Sequence, residues 1–186
     1  MVMYAALIAF RRDLHTVVML LGQLLNEASS IVVKDLVAAS KWRHWSVRPP
    51  GSDKTDAGMP SSHTQFIFFF CTYSALFVWR RVRIERPQAK PLLCLGLEFF
   101  ALAVGFSRFH LQYHTAEQCF AGAALGVGCG AAWFATVGQL RPSFAGWEQW
   151  GPLRFFHFKD TSHVDFLHRF EKLNAQRLRE LTKKGH

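Results

Sequence analysis

Residues 119–140 read CFAGAALGVGCGAAWFATVGQL, a stretch of 22 residues without a charge. A helix needs about 20 apolar residues to cross the hydrocarbon layer of a bilayer, so this segment predicts a membrane span. Within it Gly122, Gly126 and Gly130 recur at every fourth position, and Ala124, Gly128 and Ala132 form a second small-residue row. Such rows allow neighbouring helices to approach closely. Small-residue packing without specificity accounts for them equally well.

Working outward, residues 60–79 (PSSHTQFIFFFCTYSALFVW) predict a second span, closed by Arg80, Arg81 and Arg83, with Arg86 and Lys90 soon after. Residues 91–106 predict a third, with Glu98 in the middle, a charge that must face other helices or water. A fourth lies at 14–39, where Asn26, Glu27, Lys34 and Asp35 interrupt the apolar run and require packing inside a bundle or at the interface. The first ten residues are apolar but too few to span, lack the order of a cleaved leader, and suggest the remainder of a longer helix. From Arg141 the chain turns polar, and residues 164–184 predict a basic, amphipathic helix at the interface or in the cytosol. The division is a membrane-embedded unit at 1–140 and a basic tail at 141–186.

Composition agrees with a bilayer protein. Of 186 residues, 50% are hydrophobic, with runs such as Ile67-Phe68-Phe69-Phe70 that a soluble core seldom needs. The net charge of +9 would suit nucleic acid if it lay along one face, but the basic residues fall in short clusters between apolar stretches, so no nucleic-acid partner is expected. Cys71, Cys94, Cys119 and Cys129 all lie in apolar stretches, without the spacing of a zinc site, and read as packing residues. Alternating four helices places Arg11, Arg12, the Arg80–Lys90 loop and the tail on one side, which the positive-inside rule makes cytoplasmic. Loops 40–62 and 107–118 then share the other face.

Those two loops hold the chemistry. Lys41-Trp42-Arg43-His44-Trp45-Ser46-Val47-Arg48-Pro49, Pro60-Ser61-Ser62-His63, and Ser107-Arg108 with His114 six positions beyond place cations, hydroxyls and imidazoles at membrane edges. Charge there is costly to keep without a function. Arg80, Arg81 and Arg83 instead read as snorkelling anchors, and His15, His44, His110, His157, His163 and His168 as polar anchors. A phosphoryl group in transfer spreads negative charge over its oxygens and calls for fixed cations and donors. Arg48 and Arg108 offer paired N–H donors, Lys41 or Lys34 a point charge, and Ser61 and Ser62 hydroxyl and backbone donors at a helix start.

In order, these stretches resemble the signature of the type 2 phosphatidic acid phosphatase superfamily: Lys, six residues, Arg-Pro; then Pro-Ser-Gly-His; then Ser-Arg, five residues, His, three residues, Asp. The resemblance implies an all-α, polytopic helical membrane bundle of the phosphatidic acid phosphatase and haloperoxidase kind, working without metal or cofactor. It also implies that His114 is the nucleophile, forming a phospho-enzyme, and that His63 is the acid that protonates the leaving group. Two positions depart from the pattern: Ser62 replaces the glycine and Gln118 the final aspartate. Gln118, one helical turn from His114, can orient the imidazole but gives it less electrostatic help than a carboxylate.

Within the superfamily, Met59-Pro60-Ser61-Ser62-His63-Thr64-Gln65-Phe66 and Tyr113-His114-Thr115 with Gln118 look like the dolichyldiphosphatases, as do Leu14-His15-Thr16, Leu25-Asn26-Glu27 and Asp160-Thr161-Ser162. The implied activity is hydrolysis of dolichyl diphosphate to dolichyl phosphate on the lumenal face of the endoplasmic reticulum, recycling the lipid carrier of N-glycosylation. That family has a fuller first membrane helix than residues 1–10 supply. Spacing to Arg48 favours Lys41, while the context Asn26-Glu27 and Val33-Lys34 favours Lys34. Rivals are a phosphatidate or sphingolipid-phosphate phosphatase or an undecaprenyl diphosphatase, against which Ser62 and Gln118 argue, and an inactive lipid-binding relative.

Overall fold

The computed structural model describes residues 12–50, 52, 57–82, 88–155 and 157–158, with further positions at 4, 8, 10, 173–174 and 176–177. Its regular elements are helical. Four long helices, α1 (Leu14–Ala39), α2 (Ser62–Arg80), α3 (Ala89–His110) and α4 (Ala116–Leu140), are followed by the short α5 (Phe144–Glu148) and α6 (Gly151–Phe155). The expected 164–184 helix lies almost wholly outside the described residues.

Local chemistry sets the ends. Asp13 caps α1 by accepting from Thr16 N–H at 3.3 Å, and α1 runs over the bounds expected of the fourth span. Thr115 and Gln118 form a reciprocal capping box at the start of α4. The third span is longer than expected: no breaker follows Phe106, so the helix continues through Arg108 to His110. The chain then turns at Gln112, whose φ of 57° is left-handed.

The second helix sits centrally, packed against α4 and α3 and along one side of α1. α1, α3 and the α4 segment are long and apolar enough to cross a membrane, which makes this a multi-pass membrane protein; α2, of 19 residues, is not among them. The helix covers the residues expected as the second span, and composition lowers its mean hydropathy. Its first turn, Ser62-His63-Thr64-Gln65, is polar, and Thr64, Gln65, Ile67, Phe68, Phe69, Cys71 and Tyr73 are buried by neighbours, so lipid-facing apolarity falls to the outer helices. On α3, Leu92, Leu95, Phe99 and Phe106 are exposed, a patch unsuited to water but suited to lipid. Glu98 on the same helix is half-buried.

Glycine decides how closely α2 and α4 approach. A Cβ on Gly122 would lie 2.6 Å from the Ser61 carbonyl oxygen, one on Gly130 2.9 Å from that of Phe69, and one on Gly126 would overlap the Gln65 carbonyl. The first small-residue row is therefore the α2 contact. The second row differs from expectation: Ala124, Gly128 and Ala132 are exposed, and a Cβ on Gly128 would meet no atom within 4 Å. The 3.6-residue period turns that row away from α2.

The polar residues interrupting α1 form a seam with α2. The Gln65 carboxamide donates to Asn26 O and Oδ1, both at 3.0 Å, and to Ser29 Oγ at 3.1 Å, while Ser30 Oγ donates to Ser62 Oγ at 3.1 Å. Pairing inside the bundle is what makes such groups tolerable in a membrane. All four cysteines carry free thiols, Cys71 and Cys119 buried.

Two ends result. At one, Leu14, Val18, Tyr73, Val137 and Phe144 form a core cluster, His15 stacks on Phe77 with centroids 4.3 Å apart, and the Arg81 guanidinium lies 5.9 Å from the Phe134 ring. At the other, the end of α1, the start of α2, the end of α3 and the start of α4 converge with residues 41–50, 57–61 and 111–115.

Candidate active site

The turn after α3 delivers His114 into the bundle. Tyr113 and His114 both donate their N–H to the Arg108 carbonyl, at 3.1 and 3.3 Å. His114 is 5% exposed. Its Nδ1 lies 3.0 Å from Gly58 O and 3.1 Å from Gln118 Oε1, and its Nε2 3.2 Å from Arg48 Nη1. A carbonyl can only accept and a guanidinium only donate, so a single tautomer satisfies all three: the proton sits on Nδ1 and the Nε2 lone pair faces Arg48. Burial first, then the Arg48 and Lys34 charges, push the imidazole pKa down from 6.5 to about 4, against the opposing effect of its hydrogen bonds to Gln118 and Gly58. His114 is thus held neutral near pH 7, with its Nε2 lone pair turned toward Arg48.

Arg48 reaches the site from the loop after the short 3₁₀ turn Arg43–Ser46, and also donates from Nη1 to Tyr113 O at 2.8 Å. Arg108, in the last turn of α3, has its guanidinium 5.5 Å from the Tyr113 ring, and its buried Nε has no hydrogen-bond partner. Both guanidinium groups thus approach Tyr113, Arg48 at its carbonyl and Arg108 at its ring, and a half-buried guanidinium with an unused donor can accommodate an anion.

The remaining predicted residues divide. His63 is exposed on the first turn of α2, next to half-buried Ser62. Ser61 is fully buried: its N–H donates to Gln118 O at 3.0 Å, tying α2 to α4, and its hydroxyl accepts from Thr64 Oγ1 at 3.0 Å within the first turn. Lys34 is half-buried on α1 and its charge acts on His114. Lys41 is exposed, its ammonium 5.2 Å from the Trp42 ring centroid.

Gln118 is fully buried. Its Oε1 also accepts from Thr115 N–H at 3.3 Å, and its Nε2 donates to Trp45 O at 2.9 Å and Val47 O at 2.8 Å. Gly58 was not expected in the site. Its carbonyl accepts from His114, its N–H donates to Ser46 O at 2.7 Å, and a Cβ there would lie 2.7 Å from both ends of the Gln118 carboxamide. Only its place in a polar loop before Pro60 hinted at it. Among the described residues, no three His, Cys, Asp or Glu side chains gather as metal ligands.

Comparison with known proteins covers nearly the same span. The PAP2 superfamily sequence model matches residues 14–142. Dolichyldiphosphatase 1 of Dictyostelium discoideum is 34% identical over 172 residues, 91% of this chain and 73% of its own. Dolichyldiphosphatase 1 of Homo sapiens is 35% identical, over 87% of this chain and 69% of its own. Lipid phosphate phosphatase gamma of Arabidopsis thaliana is 40% identical over 126 residues, 66% of this chain and 55% of its own. No solved structure matches.

Proposed function

The chain belongs to the PAP2 superfamily, and from that premise we propose that it hydrolyses dolichyl diphosphate to dolichyl phosphate and phosphate through a phospho-histidine on His114. The substrate class follows its dolichyldiphosphatase relatives. The observation that carries the chemistry is the His114 imidazole, with Nδ1–H turned inward to Gly58 and Gln118 and Nε2 turned toward Arg48.

The terminal phosphate lies between Arg48 and Arg108, its oxygens accepting from both guanidinium groups, with the Lys34 charge nearby. His114 Nε2 attacks phosphorus; the N–P bond forms as the bond to the bridging oxygen breaks. His63 gives that oxygen a proton, and dolichyl phosphate leaves. The phospho-imidazole keeps its Nδ1–H hydrogen-bonded to Gly58 O and Gln118 Oε1. Water then attacks phosphorus, giving its proton to His63 and releasing phosphate and neutral His114. No step needs a metal, so turnover survives EDTA and vanadate inhibits. With the basic end cytosolic, the site faces the lumen of the endoplasmic reticulum, where dolichyl phosphate rejoins the carrier pool of N-glycosylation.

Rapid quench with substrate labelled in its terminal phosphate, followed by mapping of the acid-labile label, tests the assignment. Label on His114 supports it; label on His63, or full turnover by His114→Ala, overturns it. His63→Ala should lose about 10²–10⁴-fold in rate yet still bind phosphate. Purified protein in detergent should prefer dolichyl diphosphate to dolichyl phosphate and phosphatidate.

A further inference from the structure

The Gln118 carboxamide uses all four of its hydrogen-bonding positions. Oε1 accepts from His114 Nδ1–H at 3.1 Å and Thr115 N–H at 3.3 Å, and the two Nε2 protons go to Trp45 O at 2.9 Å and Val47 O at 2.8 Å. The first pair aims the nucleophile. The second pair holds the chain immediately before Arg48, whose guanidinium meets both His114 Nε2 and Tyr113 O. Ring and loop are thus tied to one buried planar group.

We propose that Gln118 is a positioning residue with two outputs: its carbonyl oxygen fixes the His114 tautomer, and its NH₂ group fixes the Trp45–Val47 loop and so places Arg48 over the phosphate. This rests on the phosphatase assignment above. A carboxylate can perform only the first task. It would turn an oxygen lone pair toward two carbonyl oxygens, repelling both and removing the donors that hold the loop. The amide exchanges electrostatic support of the imidazolium for control of the arginine that binds the anion. Gly58 belongs to the same device, since a Cβ there would push the carboxamide out of plane with the loop.

Gln118→Glu is the discriminating variant, because it keeps size and acceptor while removing both donors. Orthovanadate is the probe, read as competitive inhibition, alongside kcat, KM and deuterium uptake of the peptide covering residues 42–58. We expect faster exchange in that peptide, a raised KM, and vanadate affinity weakened about 10–100-fold, the scale of a lost charge-assisted contact to phosphate. Arg48→Ala should weaken vanadate similarly, and combining the two should add little, because they act on one contact. Gly58→Ala should repeat the pattern more mildly and serves if Gln118→Glu does not fold. Unchanged exchange at 42–58 in both variants overturns the clamp; faster exchange with unchanged vanadate affinity, or additivity with Arg48→Ala, overturns the link to Arg48. The exchange measurement needs no turnover, so it stays readable even if His114→Ala has already sunk the phospho-histidine assignment.

Discussion

Gly126→Ala and Gly128→Ala form a matched pair that isolates the contact on which the site is built. Both add one methyl in the same helix, two residues apart, so the intrinsic gain of replacing glycine, up to about 1 kcal/mol, is shared and cancels. At Gly128 the methyl meets nothing within 4 Å. At Gly126 it would overlap the Gln65 carbonyl oxygen and lie 2.8 Å from Phe68 Cβ and 3.0 Å from Phe69 N. The oxygen and nitrogen are backbone atoms of α2, unable to swing aside, so the helices must part by about 1 Å to reach ordinary contact distance. Overpacking of this kind costs about 1–3 kcal/mol, and the backbone neighbours put it toward the upper end. For a chain of this size each kcal/mol moves the midpoint about 2–4 °C, so Gly126→Ala should unfold roughly 4–12 °C below Gly128→Ala in the same detergent. Activity should fall too, because parting α2 from α4 separates His63 from His114, and a 1 Å misplacement costs up to about 10²-fold. Thermal unfolding of the two variants side by side is the assay. Midpoints within about 2 °C of each other, with equal turnover, would refute the close α2–α4 seam.

Because burial and the Arg48 and Lys34 charges depress His114 to about 4, its imidazole stays neutral through the ordinary range, and with His114 as the proposed nucleophile kcat/KM should fall on an acid limb near pH 4, not near 6.5. Stability should respond to the same group: the unfolded chain takes up this proton first, so it declines as pH falls from about 6.5 toward 4; calorimetry and a pH–rate profile check the two. Lys34→Met should raise that acid limb and weaken vanadate inhibition, while Lys41→Met, at an exposed lysine stacked on Trp42, should do neither, which steady-state kinetics on the two variants decides. Glycosylation acceptors inserted near Asp53 should be modified and those near Arg86 left bare; the reverse pattern would turn the active site to the cytosol.

Sequence alone determined what depends on composition and local order. The uncharged run at 119–140, the interrupted one at 14–39 and the basic clusters between spans reveal a helical membrane bundle, because a bilayer imposes length and apolarity on each segment separately. Arg48, Arg108, His63 and His114 stood out for a related reason: their residue types are expensive at membrane edges. What spans more than one segment needed the tertiary structure. Gln118 beside His114 is a local spacing that the sequence shows, but Gly58 and Gln118 meet across 60 positions and Val47 and Gln118 across 71, so no local pattern could reveal that a loop glycine shares the imidazole N–H or that the carboxamide holds the loop before Arg48. The same holds for Lys34 and Lys41, which spacing and context separate in opposite directions; the fold half-buries Lys34 on α1 and leaves Lys41 exposed against Trp42. Nor could apolarity foretell that α2, polar at its first turn, lies at the centre, or that the row at Ala124, Gly128 and Ala132 faces outward. Periodicity defines which residues share a face, and only packing decides what that face meets.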